Sequence, residues 1–383
     1  MTVLVRIACT LTLLACLACS TAHAGGGPGQ ADLEAANPVR ALPAQAVGHD
    51  QALGDLPAPP DPQRARLGRW LFFDTRLSAD ATVSCATCHR TDAAFGDTAP
   101  VARGIRGRTG RRKAPSFINV AFAFFAEQFW DGRAVTLEEQ ARAPIANDRE
   151  MGGSHEVAVR AIAAITGYAP YFRRAFGTPA VTLERITAAI ADYERTRISG
   201  NSPWDRWRRQ GEVRAVSEEA KLGDRLFFGK ARCDRCHVAT VLTDPKFASL
   251  RAARAQANRF QLVGNSFTDW RFHNTGIGWD ARAKRFADAG RFEVTKDPAH
   301  MGAFKTPGLR DVALHPPYMH DGSLPTLEAV VEHYRQGGID NPYLDSQMEP
   351  LELIDAEARA LAAFLKALNG EGYQDTPPAL FPR

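Results

Sequence analysis

Cysteine is scarce in this chain of 383 residues, and its seven cysteines are confined to two kinds of site. Cys9, Cys16 and Cys19 lie in the first 24 residues, and the other four form two Cys-x-x-Cys-His motifs. Because no further cysteine stands beside either motif, the remainder of the chain has no thiols for a structural disulfide. A finger-type zinc site is also disfavoured, since it needs four clustered Cys or His ligands.

Long hydrophobic runs are equally rare. The apolar run from Ile7 to Cys19 is too short to span a membrane, but Arg6 precedes it and Ala22-His23-Ala24 follows it. This pattern is typical of an export signal that is cleaved near Ala24 and Gly25. We therefore predict a signal peptide over residues 1–24 and a periplasmic protein without a membrane span, and we disfavour a lipid anchor.

Neither sign of charge dominates, with 47 Lys and Arg against 43 Asp and Glu. No segment resembles a nucleic-acid-binding motif, so nucleic acid is not an expected partner. Basic residues crowd only one glycine-rich loop. A solvated loop is the favoured interpretation, and pairing with haem propionates or an acidic partner is the alternative. The loop contains Arg103, Arg106, Arg108, Arg111, Arg112 and Lys113.

The two cysteine motifs are the strongest signal in the sequence. They are Cys85-Ala-Thr-Cys88-His89 and Cys233-Asp-Arg-Cys236-His237. In such a motif the two thiols form thioethers with the vinyl groups of a haem, and the adjacent imidazole reaches the iron. We therefore predict two covalently bound haem c groups, and a redox-active or zinc-binding Cys-x-x-Cys remains the alternative.

A weak internal repeat predicts how the chain is divided. The segment 65–73, ARLGRWLFF, precedes the first motif, and 220–228, AKLGDRLFF, precedes the second. We predict an N-terminal haem domain over 63–205 and a C-terminal haem domain over 206–383. Residues 25–62 are rich in Gly, Ala and Pro, which favours an extended arm.

Helical periodicity dominates the chain, and strand-like alternation is scarce. The predicted fold is therefore mainly α, with two tandem cytochrome c-like haem domains and loop-rich connections around the second haem. Helices are predicted over 156–165, 183–198, 218–227, 327–335 and 354–368.

Histidine is missing between Arg90 and Ser154, and Met151 is the single methionine in that stretch. The loop after the first motif therefore offers no obvious sixth ligand to the iron that His89 would hold. A haem with a free axial position can react with small molecules, whereas a six-coordinate haem only transfers electrons. We expect the first haem to react, and a non-enzymatic dihaem electron carrier remains a less favoured alternative.

Several longer segments carry a family resemblance. They are LFFDTRLS, CATCH, APSFINVAF, FWDGRAVTLEEQA, PIANDREMG, FKTPGLRDV and PYMHDGS. From Leu67 to about Leu368 the chain resembles the bacterial dihaem cytochrome c peroxidases and, more closely, the MauG-like enzymes. The resemblance implies an oxidoreductase of the peroxidase class, EC 1.11.1.-, that reacts with hydrogen peroxide.

The resemblance also implies roles for individual residues around the first haem. Glu150 matches the acid/base that manages protons during O–O cleavage, and Gln140 helps to shape the same pocket. Trp130 matches an aromatic relay between the two haems. From the sequence alone, a helix cap, a polar helix residue and core packing are the respective alternatives.

A calcium ion between the domains is a further implication of the resemblance. Asn119 matches a calcium ligand of the family, and the backbone carbonyls of His315 and Pro317 match the other protein ligands. The family usually has Thr at position 315, but a carbonyl ligand does not depend on the side chain.

The second haem has several candidate sixth ligands in the sequence, namely Met301, Met319, His320, His333 and Tyr334. Helical periodicity after Pro325 puts Leu327, Val330, Val331 and Tyr334 on one face and His333 elsewhere. By resemblance, Tyr334 occupies the position where peroxidases carry a ligating Met and MauG carries Tyr. A buried core tyrosine is the alternative.

The tyrosine favours one function over another. A phenolate stabilises higher iron oxidation states, whereas a thioether favours ferrous iron. The first hypothesis is therefore a MauG-like oxidase that uses peroxide to oxidise an exported partner protein. The second is a peroxidase that takes electrons from a small cytochrome or copper protein.

One departure from the family concerns the partner. MauG carries a surface Trp shortly before its second haem motif, and this chain has Ala231 there. That disfavours the methylamine dehydrogenase precursor as the substrate. The candidate residues for another exit of electrons are Trp204, Trp207, Trp270 and Trp279.

Overall fold

The structure is a computed structural model that describes residues 29–40, 48–49, 58–123, 127–237 and 266–383. The predicted signal peptide lies outside the described residues. Among the residues described, no helix has the length and apolar character needed to cross a membrane.

Helices account for most of the regular structure. In chain order they are α1 (Gln30–Ala36), α2 (Pro62–Phe73), α3 (Cys85–Cys88), α4 (Leu137–Ala146), α5 (His155–Ala163), α6 (Ala169–Phe176), α7 (Leu183–Arg195), α8 (Pro203–Gln210), α9 (Glu218–Phe227), α10 (Phe292–Thr295), α11 (Leu327–Arg335) and α12 (Asp355–Lys366). Short 3₁₀ turns lie at Thr75–Leu77, Thr91–Ala93, Ile105–Gly107, Val120–Ala123, Thr166–Tyr168, Cys233–Arg235, Pro298–His300 and Val312–Leu314.

The strands of the described residues are only two residues long. β1 (Phe272–His273) pairs antiparallel with β4 (Phe304–Lys305), and β2 (Trp279–Asp280) pairs antiparallel with β3 (Arg285–Phe286). The mainly α prediction is confirmed. The predicted helices are present, and α9 and α11 have the predicted bounds.

Threonine side chains cap the N-termini of three helices that contribute residues to the candidate site. The hydroxyls of Thr136, Thr182 and Thr326 accept a hydrogen bond from the third backbone N–H of α4, α7 and α11. Each bond satisfies a backbone donor that has no partner within its helix. Each capping threonine thus fixes where its helix begins.

Two hydrophobic cores are built in the same way, each around one crossing of two helices. In the first core α2 packs on α7, and in the second α9 packs on α12. At each crossing a glycine permits close contact. A Cβ on Gly68 would lie 1.8 Å from the carbonyl oxygen of Ala189, and one on Gly223 would lie 2.0 Å from that of Ala360. These glycines belong to the LG pair of the internal repeat.

The predicted extended arm is partly wrong, because residues 30–36 form α1 and Leu33 packs into the first core. The helix was not predicted because its segment is rich in small residues. It is stabilised by the tertiary contact of Leu33.

The predicted C-terminal domain, 206–383, also differs from the packing. From Tyr373 onward the chain returns to the first core, where the indole of Trp70 donates to the carbonyl of Leu380 (2.9 Å). The Arg69 guanidinium holds the carboxylate of Asp375 at 2.8 Å. We call residues 373–383 the C-terminal tail. Its residues show no periodicity, so its position could not be predicted from the pattern of apolar residues.

Candidate haem and peroxide site

A cavity of about 420 Å³ is lined by residues from both halves of the chain. Its lining includes every residue of the two motifs that is expected to hold haem, namely Cys85, Cys88, His89, Cys233, Cys236 and His237. None of these four cysteines forms a disulfide with another described residue. Two sites that lie 148 residues apart in sequence therefore open into one space.

The two histidines are oriented alike. Nδ1 of His89 lies 2.9 Å from the carbonyl oxygen of Phe95, and Nδ1 of His237 lies 3.0 Å from that of Phe267. Because a carbonyl only accepts, each Nδ1 carries the hydrogen and leaves the Nε2 lone pair free. That is the arrangement that orients a metal-ligating imidazole. Both phenylalanines have left-handed backbone, with φ of 57° and 55°. The donor set thus fits a haem at each motif.

Glu150 lines the cavity on the loop that follows α4. Its carboxylate accepts a hydrogen bond from Nδ2 of Asn147 (3.0 Å), and its carbonyl accepts from the N–H of Ile105 (2.7 Å). Burial raises the pKa of Glu150, and the charge of Arg133 partly opposes that shift. A half-buried carboxyl of this kind can hold and release a proton. The helix-cap alternative is wrong, because Ser154 caps α5.

The glycine-rich loop has a local reason for its composition. A Cβ on Gly104 would lie 2.2 Å from the carbonyl oxygen of Arg149 and 2.3 Å from that of Glu150. Only glycine lets the loop approach the Glu150 turn so closely. Gln140 and Pro144 on α4 line the same part of the site as Met151.

Trp130 contacts both halves. Its indole N–H donates to the carbonyl of Lys113 (2.8 Å), and its own carbonyl accepts from the N–H of Lys305 in β4 (2.8 Å). It lines the cavity with both motifs. Trp130 therefore lies at the junction of the two halves, and its role as a relay between two haems stays a prediction.

Tyr334 lies near the end of α11 and lines the cavity. Leu327, Val330 and Val331 of the same helix also line it. The predicted helical face is thus the face that borders the cavity. Burial, together with the thiols of Cys236 and Cys233, raises the pKa of the Tyr334 hydroxyl. A phenolate at this position therefore needs a cation beside it, which ferric iron would provide.

The other candidate ligands of the second haem differ in whether they line the cavity. The ring of His333 interacts with the backbone of Thr275, and neither His333 nor Met301 is among the described residues that line the cavity. Met319 and His320 do line it. The His320 ring stacks on Phe304 with centroids 3.6 Å apart, and the charges that act on it are those of Asp321, Asp288 and Arg112. Tyr334, in contrast, lies beside the second motif.

The residues expected to bind calcium also line the cavity. The side chain of Asn119 is engaged on both sides by Ser199, since Oδ1 accepts from its N–H (2.8 Å) and Nδ2 donates to its carbonyl (3.2 Å). His315 and Pro317 flank Pro316, whose peptide bond to Pro317 is cis. The calcium ion itself stays a prediction at this point.

The basic loop is only partly solvated. Arg112 is half-buried and pairs with Asp131 (2.6 Å) and Asp288 (2.7 Å), so it joins the two halves. Arg111 forms an ion pair at the surface with Glu293 (2.7 Å). The remaining arginines of the loop are exposed, namely Arg103, Arg106 and Arg108. Interdomain pairing was not among the interpretations of this loop.

Two polar residues of the cavity, one buried and one half-buried, were missed from the sequence. Glu194 on α7 is 4% exposed, its Oε2 has no partner among the described residues, and burial raises its pKa to about 8. His273 is held between Asp269 (3.0 Å) and Asp345 (2.6 Å), and hydrogen bonds to both raise its pKa to about 12. A polar residue within an apolar helical stripe was the available signal for Glu194.

The chain is similar to known proteins over most of its length. A family model described as di-haem cytochrome c peroxidase matches residues 62–213. The chain is 39% identical over 323 residues to methylamine utilization protein MauG of Methylorubrum extorquens, covering 84% of this chain and 82% of that protein. It is 33% identical over 313 residues to cytochrome c551 peroxidase of Nitrosomonas europaea, covering 82% of each.

A solved structure shares the fold. The crystal structure of a MauG-like protein associated with microbial copper homeostasis matches with a TM-score of 0.71 at 29% identity, covering 88% of this chain and 97% of that one. The chain therefore belongs to the di-haem cytochrome c peroxidase family that includes MauG, and it is a peroxide-dependent dihaem oxidoreductase.

Proposed function

We propose that this chain is an oxidase of MauG type, which uses hydrogen peroxide to oxidise side chains of an exported partner protein in the periplasm. The observation that carries the proposal is Tyr334, which borders the cavity beside Cys233 and Cys236. Haem attached at the two motifs would supply the iron that splits peroxide and holds its oxidising equivalents. Residues of the chain carry out the proton and electron transfers that accompany this chemistry.

Glu150 transfers the protons of the reaction with peroxide. Each peroxide molecule takes up two electrons and two protons and yields two water molecules. The carboxylate takes the first proton from peroxide and returns it to the departing oxygen, which its raised pKa favours. Asn147 holds the carboxylate in place through its 3.0 Å hydrogen bond, and Gln140 adds a polar group on α4.

Tyr334 sets the chemistry of the second site. A phenolate oxygen is a hard anionic donor, and it disfavours the ferrous state that a respiratory peroxidase stores. We infer that the second site shares oxidising power rather than electrons. Trp130 supports that sharing, since its indole lies in the cavity that both motifs border.

The electrons come from tryptophan or tyrosine side chains of the partner, which lose two electrons for each peroxide consumed. Of the candidate exits, Trp270 lines the cavity, whereas Trp204 is buried in the second core with its indole bonded to Asp224 (2.7 Å). Export and the periplasmic location rest on the predicted signal peptide over residues 1–24.

Redox titration of the diferric holoenzyme tests the proposal. We expect the second haem to resist reduction, and Tyr334→Met to raise its potential by on the order of 100 mV or more, because axial ligands tune haem potentials over a wide range. Tyr343→Phe, which changes an exposed tyrosine, is the matched control. A second haem that titrates at the same high potential in the wild type and in Tyr334→Met would overturn the proposal.

A respiratory peroxidase is the second candidate, and Met319 favours it because this thioether also lines the cavity. It predicts fast turnover of peroxide with a reduced small c-type cytochrome and a lowered second potential in Met319→Leu. The MauG-type proposal predicts slow turnover with that donor and no change in Met319→Leu.

A further inference from the structure

Two indoles border the cavity where the halves of the chain meet, those of Trp130 and Trp270. Trp130 belongs to the first half. Trp270 belongs to the second half, but it packs against apolar residues of the first half, namely Val120, Leu137 and Ala191. An aromatic ring at either position could transfer an electron across the junction, so the placement of the rings alone does not choose between them.

A cation lies over one of the two indoles. Nζ of Lys305 is 5.6 Å from the centroid of the Trp270 ring, and it donates to the backbone carbonyl of Glu127 (2.8 Å), which holds it in place. Among the described lysines and arginines, none forms a cation–π contact with the ring of Trp130. The indole N–H of Trp130 instead donates to the neutral carbonyl of Lys113 (2.8 Å).

The charge of Lys305 is not neutralised by an ion pair with the acids that act on it. These acids are Glu127 and Asp131. The Glu127 carboxylate pairs with Arg291 (2.6 Å), and the Asp131 carboxylate pairs with Arg112 (2.6 Å). Burial lowers the pKa of Lys305 to about 8, so the ammonium is the main form at neutral pH.

A cation in this position makes an indole harder to oxidise. The ammonium is attracted to the π-electrons of the neutral ring. An indole that has lost an electron is itself a cation, so the attraction becomes repulsion. Both Lys305 and Trp270 are half-buried, where water and salt screen such repulsion less than at an exposed site.

We propose that Lys305 selects which indole is oxidised, because its ammonium protects Trp270 and leaves Trp130 to lose the electron. The inference rests on the proposed relay through Trp130 and deepens it, and it holds for either electron donor considered above. Trp130 gives one electron to an oxidised haem iron and regains one from the donor, so the indole is unchanged after each cycle. Lys305 is then a specificity-determining residue, and Trp270 is not an exit for electrons.

Peptide mapping of the holoenzyme after exposure to peroxide at neutral pH tests the proposal. Without an electron donor the enzyme oxidises its own side chains, and one peroxide with one indole gives one hydroxytryptophan and one water. We expect hydroxytryptophan at Trp130 and little at Trp270 in the wild type. In Lys305→Met, which removes the charge, the yield at Trp270 should rise at least about tenfold. Lys305→Arg keeps the charge and should match the wild type.

Lys296→Met is the matched control, since the Lys296 ammonium lies over Phe292 (5.8 Å) rather than over an indole. It should leave the map unchanged. Wild-type oxidation at Trp270 that equals or exceeds that at Trp130 would overturn the proposal. A Lys305→Met map that matches the wild type would also overturn it, as would follow if a haem propionate neutralised the lysine. If Lys305→Met does not fold, the wild-type map decides.

Trp130→Phe separates this proposal from the relay on which it rests. If oxidising equivalents reach the second haem as fast in Trp130→Phe as in the wild type, the relay fails. The comparison of Trp270 in the wild type and in Lys305→Met still reports whether Lys305 protects that indole. The two failures are therefore distinguishable by optical spectra of the haems in one case and by peptide mapping in the other.

Discussion

The two halves of this protein share a scaffold and differ in the polarity of what faces the cavity. Gly68 corresponds to Gly223, Phe95 to Phe267, and His89 to His237, each pair in the same local geometry. The two halves thus share the same local backbone geometry. Any difference in function between them must come from the side chains that face the cavity.

Alignment of the helices on their capping threonines and close-contact alanines identifies those side chains. Relative to Thr136 and Thr326, Gln140 corresponds to Val330 and Pro144 to Tyr334. Relative to Ala189 and Ala360, Glu194 corresponds to Leu365. All six line the cavity. The first site therefore has polar groups and a residue that cannot bind iron, where the second has apolar groups and a phenol.

The largest expected effect concerns Glu150, which belongs to the first half. Glu150→Gln should slow the reaction with peroxide by about 10²–10⁴-fold, the usual contribution of general acid–base catalysis. In the wild type the acidic limb of the rate should lie above pH 4.5, because the pKa of Glu150 is raised and the base must be ionised. Stopped-flow mixing of diferric enzyme with peroxide measures both. Glu138→Gln, which changes a carboxylate bonded to Arg195, should leave the rate unchanged.

Pro144 offers a way to erase the difference between the halves. Pro144→Met places a thioether where Tyr334 stands in the second half, and we expect it to slow the peroxide reaction at least about tenfold by competing for the open position. Cyanide binding to the ferric enzyme, followed optically, reports the same closure. Pro144→Ala removes the ring without adding a ligand and should keep cyanide binding. Equal binding by both variants would mean that Pro144 does not face the open position.

The glycine pair tests whether the scaffolds are equivalent. Gly68→Ala and Gly223→Ala should each destabilise the fold by about 1–3 kcal/mol or more, because the added Cβ overlaps a backbone carbonyl that cannot move freely. Urea unfolding measures both, and Gly110→Ala, where the nearest atom is 3.8 Å away, is the control. A large effect at only one glycine would break the correspondence of the two crossings.

The last expected effect is a pH dependence of stability that Glu194 gives to the first half. Burial raises the pKa of Glu194 from 4.5 to about 8, so between these values the folded state binds a proton that the unfolded state has lost. Stability should therefore fall as pH rises through that window, by at most about 1.4 kcal/mol per pH unit. Glu194→Gln should flatten the profile in urea titrations, whereas Glu184→Gln on the exposed side of α7 should not.

Much of the fold could be predicted from periodicity and the repeat. The bounds of α9 and α11 were predicted correctly because an apolar stripe follows a capping Ser or Thr. The face of α11 that borders the cavity followed from the same spacing. The position of α1 and the C-terminal tail could not be predicted, because tertiary contacts rather than local pattern hold them.

The candidate site was predicted unevenly for a related reason. Motif residues such as His89 and Tyr334 carry local sequence signals, whereas Lys113 and Glu194 acquire their character only by burial. Lys113 was interpreted as part of a solvated basic loop, and no spacing rule indicates that one lysine of such a loop turns inward.

The C-terminal tail has a consequence for how the molecule assembles. Tyr373, Leu380 and Phe381 complete the core that α2 begins, and the backbone N–H of Gly167 donates to the carbonyl of Arg383 (2.9 Å). The first half is thus synthesised early but cannot finish folding until residues 373–383 have been made. Contacts of such long sequence separation form late. Loss of residues 380–383 would therefore damage the half of the protein that lies farthest from them in the chain.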